Sequence, residues 1–127
     1  MVTEDFMEKY DNLPELIMKK ELEISQSDRE IDIIVNNIGY IKSKVMQEIT
    51  QEKDETGKFV FTNEKARDAE KDIKLRQHFA FSDEQSKFNE WKIKNEIQKA
   101  EHRMLINQFK VYTEKLRYAT AVEGLKR

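Results

Sequence analysis

Ile17, Ile24, Ile31, Ile38 and Val45 recur at every seventh position without a miss. A seven-residue apolar period matches two turns of a slightly underwound helix, and β-branched side chains there suit the seam of a coiled coil. A half-buried strand would need apolar residues at every second position, so this stretch reads as helix. Leu13, Ile34, Ile41 and Ile49 add a second, incomplete row, interrupted where Lys20 and Ser27 replace apolar residues. Little in the chain can stop such a helix, because its 127 residues include three glycines and one proline. The pattern predicts a helix over about 13–53, roughly 60 Å long at about 1.5 Å per residue. Asn12 is placed to cap it, with Pro14 in its first turn and Glu15 closing a capping box. Ahead of it, Thr3, Glu4 and Asp5 either start a short helical turn or belong to a frayed tail. Gly39 weakens the long helix and marks either a bend or a close approach of another element.

The period then changes. Asp54-Glu55-Thr56-Gly57-Lys58 is turn chemistry, with Gly57 able to take positive φ, and Phe59-Val60-Phe61 is a short β-prone run. A connector over about 54–62, forming a small β-like turn or an extended loop, is expected at this tip. Thr62 or Asn63 caps the next helix, expected over about 63–80, whose thin stripe is Ala66, Ala69, Ile73 and Phe79. Ser82-Asp83-Glu84-Gln85 reads as another capping box, so a break is expected near Phe81 and a last helix over about 83–124. Phe88, Trp91, Ile97, Met104, Leu105, Phe109, Tyr112, Leu116 and Ala119 keep helical spacing along it.

Charge supports pairing of the two long arms. Residues 1–56 carry 14 Asp/Glu against 7 Lys/Arg, and residues 99–127 carry 3 against 7, so the first arm is acidic and the last basic. The expected fold is therefore all-α: one domain over 1–127, a long antiparallel helical hairpin or coiled coil with a short helix and a β-like turn at its tip. Its seam would set Ile24, Ile31, Ile38 and Val45 against Ile97, Met104, Leu105 and Phe109. A chain without cysteine has no disulfide scaffold and no thiolate chemistry. No apolar run approaches the roughly 20 residues of a membrane span, and the acidic N-terminal segment does not resemble a signal peptide. A cytoplasmic protein with no membrane association is expected.

No constellation for catalysis emerges. The two histidines, His78 and His102, each lack a Glu three residues before them, so the paired Glu-x-x-His motifs of carboxylate di-iron bundles are absent. There is no Gly-rich phosphate loop, no His-Glu-x-x-His helix and no nucleophile elbow. The expectation is a non-enzyme with no catalytic residue, cofactor or metal. Candidate contacts lie elsewhere. Phe59, Val60 and Phe61 are hard to bury on a thin hairpin and suit an oligomer or partner contact. Phe88 and Trp91 belong to the densest aromatic cluster, which either packs around the break or serves a partner. Arg103, Lys110, Lys115, Arg117, Lys126 and Arg127 interleave with Phe109, Tyr112 and Tyr118. Cations among aromatics suit a nucleic-acid backbone with stacked bases; equally, the rings can face the hairpin core while the cations complement the acidic arm.

A long charged helix, then Gly57-Lys58-x-x-Phe61-x-Asn63-Glu64-x-x-Arg67, then a helix carrying Phe109-Lys110-Val111, resembles small uncharacterised helical proteins of bacteriophages and mobile elements of Gram-positive bacteria. The resemblance implies a gene neighbourhood of DNA recombination or replication and transfers no binding or catalytic residue. The leading expectation is a binding or assembly protein acting through protein–protein contacts, with homo-oligomerisation covering its apolar surface. The alternatives are a nucleic-acid-associated accessory factor in recombination or replication, and an inhibitor of a host enzyme through the acidic helical surface.

Overall fold

A computed structural model describes residues 2–125. The chain is all-α, with α1 Glu4–Gln51, α2 Glu64–Arg76 and α3 Phe79–Leu125 in order. It divides into two compact units, one formed by Met1–Asp28 with Ile93–Arg127, the other by Arg29–Lys92. Among the described residues, no helix is long and apolar enough to cross a membrane.

In the first unit, rising numbers on α1 meet falling numbers on α3. Phe6 stacks on Tyr112 at 4.9 Å between ring centroids and Tyr10 on Phe109 at 5.2 Å. Further along, Lys20 meets Glu101, and Ser27 meets Gln98 and Asn95. The two helical segments of this unit therefore run antiparallel. The aromatic pairs explain why α1 starts at Glu4 and not near 13. Thr3 is the cap, its hydroxyl accepting from the Phe6 N–H at 3.1 Å, and Asn12 lies inside the helix. Pro14 is likewise internal. A proline there withdraws one backbone hydrogen bond at a cost of about 3 kcal/mol, offset here by burying Leu13 and the two ring stacks.

The second unit has its own core of Val45, Ile49 and Leu75, with Ile41, Phe61 and Phe81 packed against it. Ile49 is fully buried. The connector between α1 and α2 contains one isolated antiparallel bridge, between Lys53 and Phe59, and no strand forms among the described residues. Gly57 takes φ +83, as the turn requires. The Asp54 carboxylate organises this turn: its Oδ1 accepts from the Thr56 N–H at 2.9 Å, the Thr56 hydroxyl at 2.6 Å and the Lys58 N–H at 3.0 Å.

Those bonds, the Thr56 hydroxyl first, hold the Asp54 carboxyl below the ordinary aspartate range. A lowered folded pKa means that the turn gains stability from this group above its unfolded pKa, about 3.9, and loses it as pH falls through the lower folded value. The Asp54 carboxyl signal in an NMR titration is expected to inflect at lower pH in the protein than in a short unfolded peptide of the same sequence. An equal or higher midpoint in the protein would contradict the role of these bonds.

Asn63 caps α2 by accepting from the Ala66 N–H at 2.8 Å. The break before α3 falls at Gln77 and His78, ahead of the position expected from Ser82. His78 supplies the reason, because its Nδ1 accepts from the Phe81 N–H at 3.2 Å and its carbonyl from the Ser82 N–H at 3.1 Å. A ring nitrogen thus does the capping assigned to the Ser82 hydroxyl, and Ser82 begins no helix. Gly39 marks no close approach: a methyl group there would meet nothing within 4 Å.

Candidate functional site

The three expected contact regions separate once their side chains are placed. At the connector, Phe59 and Val60 are exposed, and Lys53 lies 5.0 Å over the Phe59 ring. Phe61 differs, because it turns inward against Val45, Ile49 and Leu75, and its carbonyl accepts from Arg67 at 3.5 Å. Only two of the three residues expected as a contact are therefore presented outward. Phe88 and Trp91 are half-buried on α3. Phe79 is exposed, whereas Phe81 packs on the second unit's core with Lys42 5.9 Å from its ring.

At the basic end, Arg103, Lys110, Lys115 and Arg117 are exposed on α3; Lys126 and Arg127 lie outside the described residues. The aromatics between them do not form one stacking face. Phe109 and Tyr112 are engaged with Tyr10 and Phe6, while Tyr118 is exposed. Lys115 lies 5.9 Å from the Tyr112 ring, and Arg117 pairs with Glu114 at 3.1 Å.

The polar interruptions of the second heptad row prove to be organised. Ser27, Asn95 and Gln98 are all buried. The Asn95 amide donates to the Ser27 hydroxyl at 2.7 Å and to the Asp28 carboxylate at 2.8 Å, and the Ser27 hydroxyl donates to Gln98 Oε1 at 2.7 Å. No buried side-chain nitrogen or oxygen among the described residues lacks a partner. A turn or two away, Lys20 donates to Glu101 at 2.7 Å and Glu23 at 2.8 Å, and His102 Nε2 lies 3.1 Å from Glu21. Glu101 foremost, then Glu23, raises the Lys20 pKa, and Lys20 lowers that of Glu23. Polar residues on α1 are thus met at matching heights by polar residues on α3, which specifies register as an apolar seam alone does not.

This inward polar row corrects the expected seam on α3, keeping Leu105 and Phe109 inward and displacing Ile97 and Met104. Asn95, Gln98, His102, Leu105, Phe109 and Tyr112 are buried or half-buried, whereas Ile97 and Met104, assigned inward for their apolar character, are exposed. They belong to a second row, Ile97, Met104, Val111, Tyr118 and Leu125, spaced by seven and between 51% and 88% exposed. On a helix wheel this row lies about 130° around from the inward one, at about 100° per residue. Arg103, Lys110 and Arg117 form a parallel line beside it, also spaced by seven. Near Tyr118 the surface dips into an open groove of about 460 Å³, lined by Val2, Phe6, Lys115, Tyr118 and Ala119 among others. The seven-residue spacing of Val111, Tyr118 and Leu125 was the available sequence signal for this face. It is masked there by the stronger apolar neighbours Leu105, Phe109 and Leu116.

Among the described residues, no group of three or more His, Cys, Asp or Glu side chains is placed to hold a metal ion. Compared with protein-family models, curated proteins and solved structures, the chain matches none.

Proposed function

We propose that this chain is a non-enzymatic helical binding and assembly protein, with α1 and α3 paired as an antiparallel coiled-coil hairpin that displays apolar surface to other proteins. One observation carries the reading. Among the described residues, five hydrophobic residues are buried, against sixteen large ones exposed, and much of the exposed set lies on helix faces instead of being scattered on loops. Singly exposed apolar residues are ordinary, but aligned ones mark association surfaces. Self-association through part of this surface accompanies the partner contact. Sedimentation velocity across a hundredfold range of protein concentration is expected to show a concentration-dependent rise in mass. A compact monomer at every concentration would remove the oligomer.

The alternative of nucleic-acid binding draws on the line of Arg103, Lys110 and Arg117, about 10.5 Å apart at seven residues per rung. A mobility-shift assay at low and moderate salt is its test, since backbone binding must weaken steeply as salt rises.

A further inference from the structure

We infer that the outer face of α3 docks an acidic amphipathic helix of a partner protein, with its apolar residues on the Ile97–Leu125 row and its carboxylates against Arg103, Lys110 and Arg117. The inference rests on the assembly reading above and adds the partner's chemistry. It starts from the period of the exposed row. Five apolar rungs at intervals of seven span four heptads, enough for a coiled-coil seam, and only another helix matches that period over such a length. A helix face that aligns apolar residues over several turns is normally covered. In the first unit α1 already covers the inward face. Between the outer rungs stand Ala100, Asn107, Glu114 and Ala121, so small residues leave room for a close approach at the two ends of the row and polar ones line its middle.

Charge then selects the occupant. The positions flanking the outer seam include Arg103, Lys110, Lys115 and Arg117, against Glu96 and Glu101; Glu101 is already bound by Lys20, and Arg117 by Glu114, so Arg103, Lys110 and Lys115 carry most of the excess positive charge. A second copy of α3 is disfavoured in either direction. In parallel register Lys110 would meet Lys115 and Glu96 would meet Glu101. Antiparallel about Val111, Lys110 would meet its own counterpart and Arg103 would meet Arg117. The α1 of a second copy is acidic, but of its exposed Leu16, Met18, Leu22, Ile33, Val35 and Tyr40 only Ile33 and Tyr40 stand seven apart, so it offers no row to match five rungs. A nucleic-acid backbone would match the cations and leave the five apolar rungs against phosphate. An acidic helix with heptad spacing satisfies both the apolar row and the charge line.

The test uses the full chain and two synthetic four-heptad peptides with identical Ile and Leu seams, one flanked by Glu and one by Lys, each followed by fluorescence anisotropy. The Glu-flanked peptide is expected to bind at least tenfold more tightly than the Lys-flanked one, with the preference shrinking as salt rises. Val111→Asp is expected to weaken it at least tenfold with little change in helicity or Tm, because Val111 is half-exposed and belongs to no buried core cluster of the described residues. Arg103→Glu with Lys110→Glu is expected to reverse the preference between peptides. That reversal keeps the test independent of any loss of folding.

Equal binding of both peptides, or of neither, would overturn the inference. So would binding of duplex or single-stranded DNA that the Glu-flanked peptide cannot displace, since the face would then belong to nucleic acid. A chain that self-associates in sedimentation but takes neither peptide would refute the acidic partner while leaving the assembly reading intact. A monomer that takes neither would refute both.

Discussion

Ile49→Ala is expected to destabilise the protein by about 2–5 kcal/mol, lowering Tm on the order of 10 °C. Ile49 is fully buried and sits with Val45 and Leu75 in the small core of the second unit, held by Ile41, Phe61 and Phe81 around it. Removing its outer carbons loses transfer energy and leaves a cavity, and so small a core has few other side chains to move in and fill it. Ile33→Ala, at an exposed position on the same helix, is the control and is expected to change stability by no more than about 0.5 kcal/mol. Thermal and urea unfolding followed by circular dichroism measures both. Similar losses for the two variants would mean that helix propensity, and not this core, dominates the stability of α1.

Asn95→Ala is expected to cost about 1–3 kcal/mol, because it strips the Ser27 hydroxyl of a buried donor and opens a gap beside Gln98. Replacing the whole group, Ser27→Ala with Asn95→Leu and Gln98→Leu, is expected to behave differently. Buried polar groups exchanged together for apolar ones are often neutral or stabilising, so the triple variant should recover most of the loss or exceed the parent. What it should lose is a single register, since a polar rung tolerates only the alignment that satisfies it. Extra amide resonances or mixed masses in sedimentation would report that loss. A triple variant as unstable as Asn95→Ala, or one with a single conformer and unchanged mass, would show that the polar layer does not specify the pairing.

The polar layer also shows where reading the chain succeeds and where it stops. Helicity follows directly from the row Ile17 to Val45 and the scarcity of glycine and proline, because period and propensity are local properties. The Asn63 cap and the positive φ of Gly57 are local in the same way, each depending on a few adjacent residues. The start of α1 is not. Asn12, Pro14 and Glu15 make a sound local start signal, and it is overridden because Phe6 and Tyr10 find Tyr112 and Phe109, roughly a hundred residues along the chain. The break before α3 moved for a reason closer to hand. A histidine ring can accept a backbone hydrogen bond as well as a serine hydroxyl can, and His78 does so.

The candidate surface divides along the same line. Its ingredients, five apolar residues at intervals of seven and three cations at the same interval, are in the sequence. Which of the two rows on α3 turns inward is not, since apolar character alone favours Ile97 and Met104 over Asn95, Gln98 and His102. The choice was made across the helix pair, where Ser27, Asp28 and Glu21 on α1 offer hydrogen-bond partners to the polar row. Period and composition alone establish that long helices form and where their charge lies. Which face is left open is settled by packing, because a buried polar side chain is stable only opposite its complement, and that complement is supplied by residues distant in the chain.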